Sequence, residues 1–212
     1  SNIEFRNVSF YRDERCIYDD ISFLIPSNKI TTILGPSGAG KTTIVRHLLG
    51  ENAGLAFSIS ATTRKARDYE KHGVHYYYLS ATEFEQKIKE NAFVEYEQVY
   101  EGLYYGTLHE EMERIWAMGK HIIFDIDVQG GINLKKMYGE RALSIFVQPP
   151  SAEVLAQRLR NRKTESEESL NARIQKSTQE LDFAPLFDTV LVNDVLETAF
   201  EDAQKLVDDF VK

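Results

Sequence analysis

Apolar and polar positions along the chain fall into two periods. Ile3-Glu4-Phe5-Arg6-Asn7-Val8-Ser9-Phe10 alternates as a strand buried on one face does, and Asp20-Ile21-Ser22-Phe23-Leu24-Ile25 repeats the pattern. Polar Arg12-Asp13-Glu14-Arg15 separates the two runs and Pro26-Ser27-Asn28 ends the second, so the spacing predicts a short antiparallel ribbon. Lys29-Ile30-Thr31-Thr32-Ile33-Leu34 is β-branched and apolar with little alternation, as is His121-Ile122-Ile123-Phe124, and both read as buried parallel strands. Ala142-Leu143-Ser144-Ile145-Phe146-Val147 is a further apolar run, ended by Pro149-Pro150. Helical spacing begins at Thr43-Ile44-Val45 and returns from Leu196 to Phe210, the latter reading as a docking helix. Two capping boxes, Ser80-Ala81-Thr82-Glu83 and Thr164-Glu165-Ser166-Glu167, mark helix starts, and Ser151 is placed to cap another. Phe84 and Ile88 lie four apart on the helix opened by Ser80. Buried strands interleaved with helices indicate an α/β chain with a parallel sheet.

Composition narrows the class. The 212 residues suit one α/β domain able to bury a sizeable core, and 42% hydrophobic with 27% charged residues excludes disorder as the main state. A formal net charge of -8 argues against nucleic acid as a partner, so an anionic ligand must be met by a local cluster of cations. The single cysteine, Cys16, excludes an internal disulfide framework and fits a reducing compartment. No apolar run approaches the length of a membrane span and no secretory leader is evident, so a cytoplasmic location is expected.

The candidate chemistry is centred on Gly35-Pro36-Ser37-Gly38-Ala39-Gly40-Lys41-Thr42, a phosphate-loop pattern lying between a predicted strand and a predicted helix. Its glycines allow backbone N–H groups to turn onto a polyphosphate at a helix N-terminus. With Thr43 it forms the candidate ATP site, in which Lys41 reaches the β- and γ-phosphates and the Thr42 hydroxyl meets Mg²⁺. Asp125 ends the strand His121–Phe124 and is the second candidate metal ligand, since ligands gather at the carboxyl ends of parallel strands. Arg64 and Arg67, preceded by hydroxyl residues, can grip a phosphate, and Tyr76 and Tyr105 can each hydrogen-bond to one. His72 and His75 lack a third ligand nearby and are not read as a metal pair.

The run DDISFLIPSNKITTILGPSGAGKTT resembles the start of the nucleotide-binding domain of ATP-binding-cassette transporters, although that family's Leu-Ser-Gly-Gly signature and late Asp-Glu pair are absent. From about Thr43 onward the chain resembles guanylate kinase. The resemblance rests on Phe57-Ser58-Ile59-Ser60-Ala61-Thr62-Thr63-Arg64-Lys65-Ala66-Arg67, Gly73-Val74-His75-Tyr76, Glu95-Tyr96, Tyr104-Tyr105-Gly106-Thr107, Phe124-Asp125-Ile126-Asp127-Val128-Gln129-Gly130, Pro149-Pro150-Ser151 and Val192-Asn193-Asp194, all in that family's order. It implies ATP-dependent phosphorylation of GMP to GDP, with Mg²⁺. Arg64, Arg67, Tyr76 and Tyr105 would hold the GMP phosphate. Ser60, Glu95, Thr107 and Asp127 would form the guanine pocket. Asn193 would join the ATP site, and Lys41, Asp125 and the lid arginines Arg158, Arg162 and Arg173 would be catalytic.

The implied architecture is a P-loop NTPase-type parallel sheet with helices on both faces. Its parts are a cassette-like ribbon and first core strand over 1–34, the loop and its helix over 35–57, and a GMP-binding subdomain over 58–107. Core follows over 108–150, a helical lid over 151–180, and a last strand and helix over 181–212. Guanylate kinases usually begin only a few residues before their loop, whereas 34 precede Gly35 here, so an engineered chimera joined inside the loop is the expectation. Three other functions are weighed beside the kinase: a chimera with impaired catalysis, cassette-type ATP binding or hydrolysis, and a non-catalytic guanylate-kinase-like interaction module. An intact phosphate loop disfavours the last.

Overall fold

A computed structural model describes residues 3–12, 15–25, 28–161 and 167–212. β1 (Ile3–Arg12) and β2 (Arg15–Ile25) pair antiparallel as a two-stranded sheet of their own, from Ile3 opposite Ile25 to Arg12 opposite Arg15. The second strand therefore begins well before Asp20, where the alternation suggested. Register shifts explain the difference: Asn7 and Asp20 take positive φ of 51° and 49°, and Asn7 Nδ2 donates to Asp20 Oδ1 at 2.6 Å. Each shift moves subsequent side chains to the other face, so a strand with bulges loses its period of two.

The core is a five-stranded parallel sheet built from β3 (Ile30–Leu34), β4 (Leu55–Phe57), β9 (His121–Asp125), β10 (Ala142–Gln148) and β11 (Thr189–Val192), in the order β11-β10-β3-β9-β4. Every residue of β3 is buried. Along β9, Ile123 points to one face while Ile122 and Phe124 point to the other, and each joins a separate apolar cluster. The first face is covered by α1 (Lys41–Glu51) and α7 (Leu196–Val211), through Ile44, Val45, Leu48, Ala199, Ala203 and Val207. The second is covered by α3 (His109–Ala117) and α4 (Val128–Tyr138), through Met112, Ile115 and Leu134. Burial on both faces is why these strands read as continuous apolar runs.

A four-stranded sheet stands beside this core. It comprises β5 (Ala61–Thr62), β6 (Tyr77–Tyr78), β7 (Phe93–Tyr100) and β8 (Leu103–Leu108), in the order β6-β5-β8-β7. α2 (Ala81–Lys89) closes one side: Phe84 is fully buried and stacks on Phe93 at 4.2 Å and on Tyr104 at 5.0 Å. Its capping box is formed, Ser80 Oγ accepting from the Glu83 N–H at 3.2 Å and Glu83 Oε2 from the Ser80 N–H at 2.7 Å.

α5 (Ala152–Arg160) is capped by Ser151, whose Oγ accepts from the Val154 N–H at 3.2 Å, and packs against α6 (Glu167–Glu180). Arg158 lies in the last turn of α5, but the helix stops at Arg160. Arg162, expected four residues further along the same helix, lies outside the described residues, as does most of the capping box begun by Thr164. Among the described residues no helix is long and apolar enough to cross a membrane.

Candidate active site

β3 and β9 are neighbours in register, Ile33 opposite Asp125, so the loop leaving β3 and the acid ending β9 meet at one edge of the sheet. Two loop glycines are required by geometry. At Gly35, with φ 131°, a Cβ would sit 2.1 Å from the Val147 carbonyl oxygen, and at Gly40, with φ 95°, it would sit 2.3 Å from Asn193 Nδ2. Gly40 is the N-cap of α1, which places Lys41, Thr42 and Thr43 in its first turn. Pro36 and Ala39 are buried beneath the loop, while Ser37 and Gly38 are partly exposed. Lys41 Nζ folds back to donate to the Gly35 carbonyl at 2.5 Å. Thr42 Oγ1 donates to Asp125 Oδ2 at 3.1 Å. Burial raises the Asp125 carboxyl above its ordinary range, against the opposing pull of Lys41 and the Thr42 hydroxyl.

Asn193 stands behind this loop. It is 5% exposed, donates from Nδ2 to the Ala39 carbonyl at 2.8 Å, and its own carbonyl accepts from Arg158 Nη2 at 2.9 Å. Its amide therefore braces the loop, and Arg158 is tied to the same brace.

A cleft of about 640 Å³ opens between the loop, the end of β9, the four-stranded sheet and α6. Gly35, Ser37 and Lys41 line one end; Ser60, Tyr76, Glu95 and Tyr105 line the other; Asp125 and Asp127 lie between, and Arg173 and Lys176 reach in from α6. Glu95 is opposite Thr107 in the β7–β8 ladder, and its Oε1 accepts from Thr107 Oγ1 at 2.7 Å. Burial raises the Glu95 carboxyl above its ordinary value, and the nearby Asp127 charge adds to this. Thr107 is fully buried, so its hydroxyl faces Glu95 and not the cleft. Asp127 has a second task as the N-cap of α4, accepting from the Gly130 N–H at 2.7 Å.

Arg64 and Arg67 are placed differently from these cleft-lining residues. Arg64 donates to both Glu70 oxygens at 2.9 Å and lies over the Tyr76 ring at 5.3 Å. The Arg64 hydrogen bond, with one from the Arg67 backbone, holds the Glu70 carboxyl down at about 2. Arg67 is exposed, and its Nη1 donates to Tyr69 Oη at 3.0 Å. Neither arginine lines the cleft, and Glu70, which occupies the Arg64 fork, escaped the sequence reading because it sits in an irregular loop without periodicity. His72 and His75 each accept a backbone N–H through Nδ1, from Tyr78 at 3.1 Å and from Lys71 at 3.0 Å.

Glu97 also lines the cleft and was not singled out from the sequence. The signal was present: in a strand, positions 95 and 97 share a face. A hydrogen bond with Asp127, burial and the Asp127 charge push the Glu97 carboxyl from 4.5 up to about 7. The folded chain therefore keeps a proton that the unfolded chain has released, and stability from this group is lost as pH rises from about 4.5 to 7. Glu97→Gln should gain stability relative to the parent chain by about 1 kcal/mol between pH 5 and pH 8, a figure reduced for partial exposure. Thermal melts of both proteins across that range check this; a constant difference in melting temperature would refute it.

The guanylate kinase family model matches residues 27–210. The chain belongs to the guanylate kinase family. It is 50% identical over 183 residues to a guanylate kinase of Bacteroides fragilis, covering 86% of this chain and 90% of that one. It is 45% identical over 186 residues to the guanylate kinase of Chlorobium chlorochromatii, covering 88% and 97%. The crystal structure of guanylate kinase from Anaplasma phagocytophilum superposes with a TM-score of 0.65 at 28% identity, covering 87% of each chain. The guanylate kinase match begins ahead of β3, so a cassette-like origin for residues 1–34 and a junction inside the loop gain no support. β1 and β2 precede the matched region.

Proposed function

We propose that this guanylate kinase family member transfers the γ-phosphoryl group of ATP to GMP within the 640 Å³ cleft, giving ADP and GDP. The observation that carries the reading is the opposition, across one cleft, of a phosphate loop with its lysine and a buried carboxylate held by Thr107. At the donor end, Gly35 to Thr43 would wrap the ATP phosphates, Lys41 offsetting their charge while Asn193 keeps the loop in place. At the acceptor end, Glu95, oriented by Thr107, would read guanine with Ser60 and Asp127, and Tyr76 and Tyr105 would hold the GMP phosphate, Arg64 and Arg67 joining them by turning from Glu70 and Tyr69 toward the cleft. That phosphate is already anionic, so the acceptor requires positioning more than a strong base. Arg158 from α5 and Arg173 from α6 would close over the transferring group, and Arg162, outside the described residues, would join them.

Thr42 and Asp125 would hold Mg²⁺. Their two hard oxygens, 3.1 Å apart beside the loop, fit an ion that takes few protein ligands and fills its remaining positions with water and phosphate oxygens. When bound, that ion neutralises charge on the β- and γ-phosphates. The lone Cys16 supports a cytoplasmic setting. An engineered cassette-like origin of residues 1–34 rests on sequence resemblance alone, and one natural reading frame encoding the whole chain would overturn it.

The test is ADP release from ATP and Mg²⁺ with no acceptor, with GMP and with AMP. Release that depends on GMP is expected. Release independent of acceptor, or none, would overturn the assignment.

A further inference from the structure

Glu111 does not line the cleft, yet it is 1% exposed and its carboxylate accepts four hydrogen bonds. The Ile59 N–H donates to Oε1 at 2.9 Å and Tyr77 Oη donates to Oε2 at 2.7 Å. Arg114, one turn along α3, donates from Nε to Oε2 and from Nη2 to Oε1, both at 2.9 Å. Burial alone would raise this carboxyl; the bonds from Arg114, Ile59 and Tyr77 outweigh it and hold the group below its ordinary range. A buried charge so fully paired is costly to lose from either side.

The residues it holds are neighbours of the cleft wall. Ser60 follows Ile59 and Tyr76 precedes Tyr77, and both line the cleft. β5 and β6 are only two residues long; β5 is also paired with β8 and the Ser58 N–H donates to the Ile123 carbonyl of β9 at 3.0 Å, but β6 is an edge strand, and the Tyr77 N–H to Ser60 carbonyl bond at 2.9 Å joins it to the other segment and not to the core. Glu111 joins both to α3, which packs on β9.

We infer that Glu111 is a positioning residue for the acceptor end of the cleft: its carboxylate clamps Ile59 and Tyr77 to α3 and thereby sets Ser60 and Tyr76 at the distance GMP requires. The inference rests on the acceptor assignment made above. Two variants test it. Tyr77→Phe removes one hydrogen bond and little volume; Glu111→Gln keeps the shape but loses the charge and one acceptor. Loosening a subsite that binds GMP equally in the ground and transition states raises KM and spares kcat, so a rise of about 10-fold in the KM for GMP is expected for Glu111→Gln, and about 3-fold for Tyr77→Phe. The KM for ATP and kcat should stay within about 2-fold, because the phosphate loop does not touch this clamp. Equal changes in both KM values, or an unchanged KM for GMP in both variants, would overturn the inference.

Amide hydrogen exchange of the ligand-free protein reads the clamp without turnover. Glu111→Gln should lose protection over 59–62 and 76–78 while β3 and β9 keep theirs. Unchanged protection there would refute the clamp even if the parent chain failed to phosphorylate GMP, whereas absent GMP turnover with lost protection would refute only the acceptor assignment.

Discussion

Lys41→Ala will lower GMP-dependent ADP release by about 100- to 1,000-fold, the usual cost of deleting one preorganised charge-stabilising donor, and will leave the folding transition nearly unmoved. The separation of the two effects follows from the position of the side chain. Lys41 is the first residue of α1 and is partly exposed, and the Gly35 carbonyl is the partner of its ammonium. Alanine is the best helix former, so the helix start tolerates it. No apolar contact of the core depends on this residue, since the buried residues of α1 are Ile44, Val45 and Leu48. What disappears is a positive charge at the point where the loop would meet the β- and γ-phosphates, and phosphoryl transfer depends on such neutralisation. Circular dichroism and a thermal melt on the same preparation secure the fold. Turnover within about 10-fold of the parent chain would be too small a loss for a charge-stabilising donor and would exclude Lys41 from the transfer step.

Which parts of this molecule the sequence made legible depended on how locally each was encoded. β3 and β9 were readable because burial on both faces leaves an uninterrupted apolar signature, and the cap at Ser80 because its two bonds span three residues. The phosphate loop was readable because its glycines answer to steric demands, a carbonyl 2.1 Å from any Cβ at position 35, that few other residues satisfy. β5 and β6 were not readable, since two residues carry no period. The ribbon was half legible: bulges at Asn7 and Asp20 broke the alternation that would have revealed the whole of β2.

The candidate site divides the same way. Its donor end is one contiguous stretch. Its acceptor end is assembled from residues far apart in the chain, and Glu95 meets Thr107 only because β7 and β8 pair in that register. Family resemblance named those residues; local pattern could not. Resemblance in turn gave no warning that Arg64 is engaged by Glu70, that Asn193 faces the back of the loop, or that Asp127 also caps a helix. Each of these depends on a tertiary partner. The family model, by reaching back to residue 27, moved the kinase boundary ahead of the first core strand.

Base selectivity provides the second large effect. Glu95→Ala should lower the ratio of kcat/KM for GMP over AMP by about 100-fold, within the range by which a site built on hydrogen bonds rejects an analogue lacking them. Guanine offers N1–H and an exocyclic amine as adjacent donors, and a carboxylate is the acceptor that matches both; adenine turns an acceptor toward the same place. Thr107 takes one acceptor site on Oε1 of Glu95, which orients the group and leaves Oε2 and the remaining lone pair of Oε1 for the two donors of the base. Burial, which raises the carboxyl, also sets a pH signature: as pH falls toward that raised value the group protonates and loses acceptor capacity, so the KM for GMP should climb on the acid side while that for ATP does not. In Glu95→Ala this selective acid limb should disappear along with the selectivity. The substitution also strands the fully buried Thr107 hydroxyl, at a cost of about 1 to 3 kcal/mol in stability. That loss cannot imitate the expected result, because a loosened fold would weaken GMP and AMP together and leave their ratio near the parent value. An unchanged ratio would therefore remove Glu95 from the guanine pocket even if the variant were less stable.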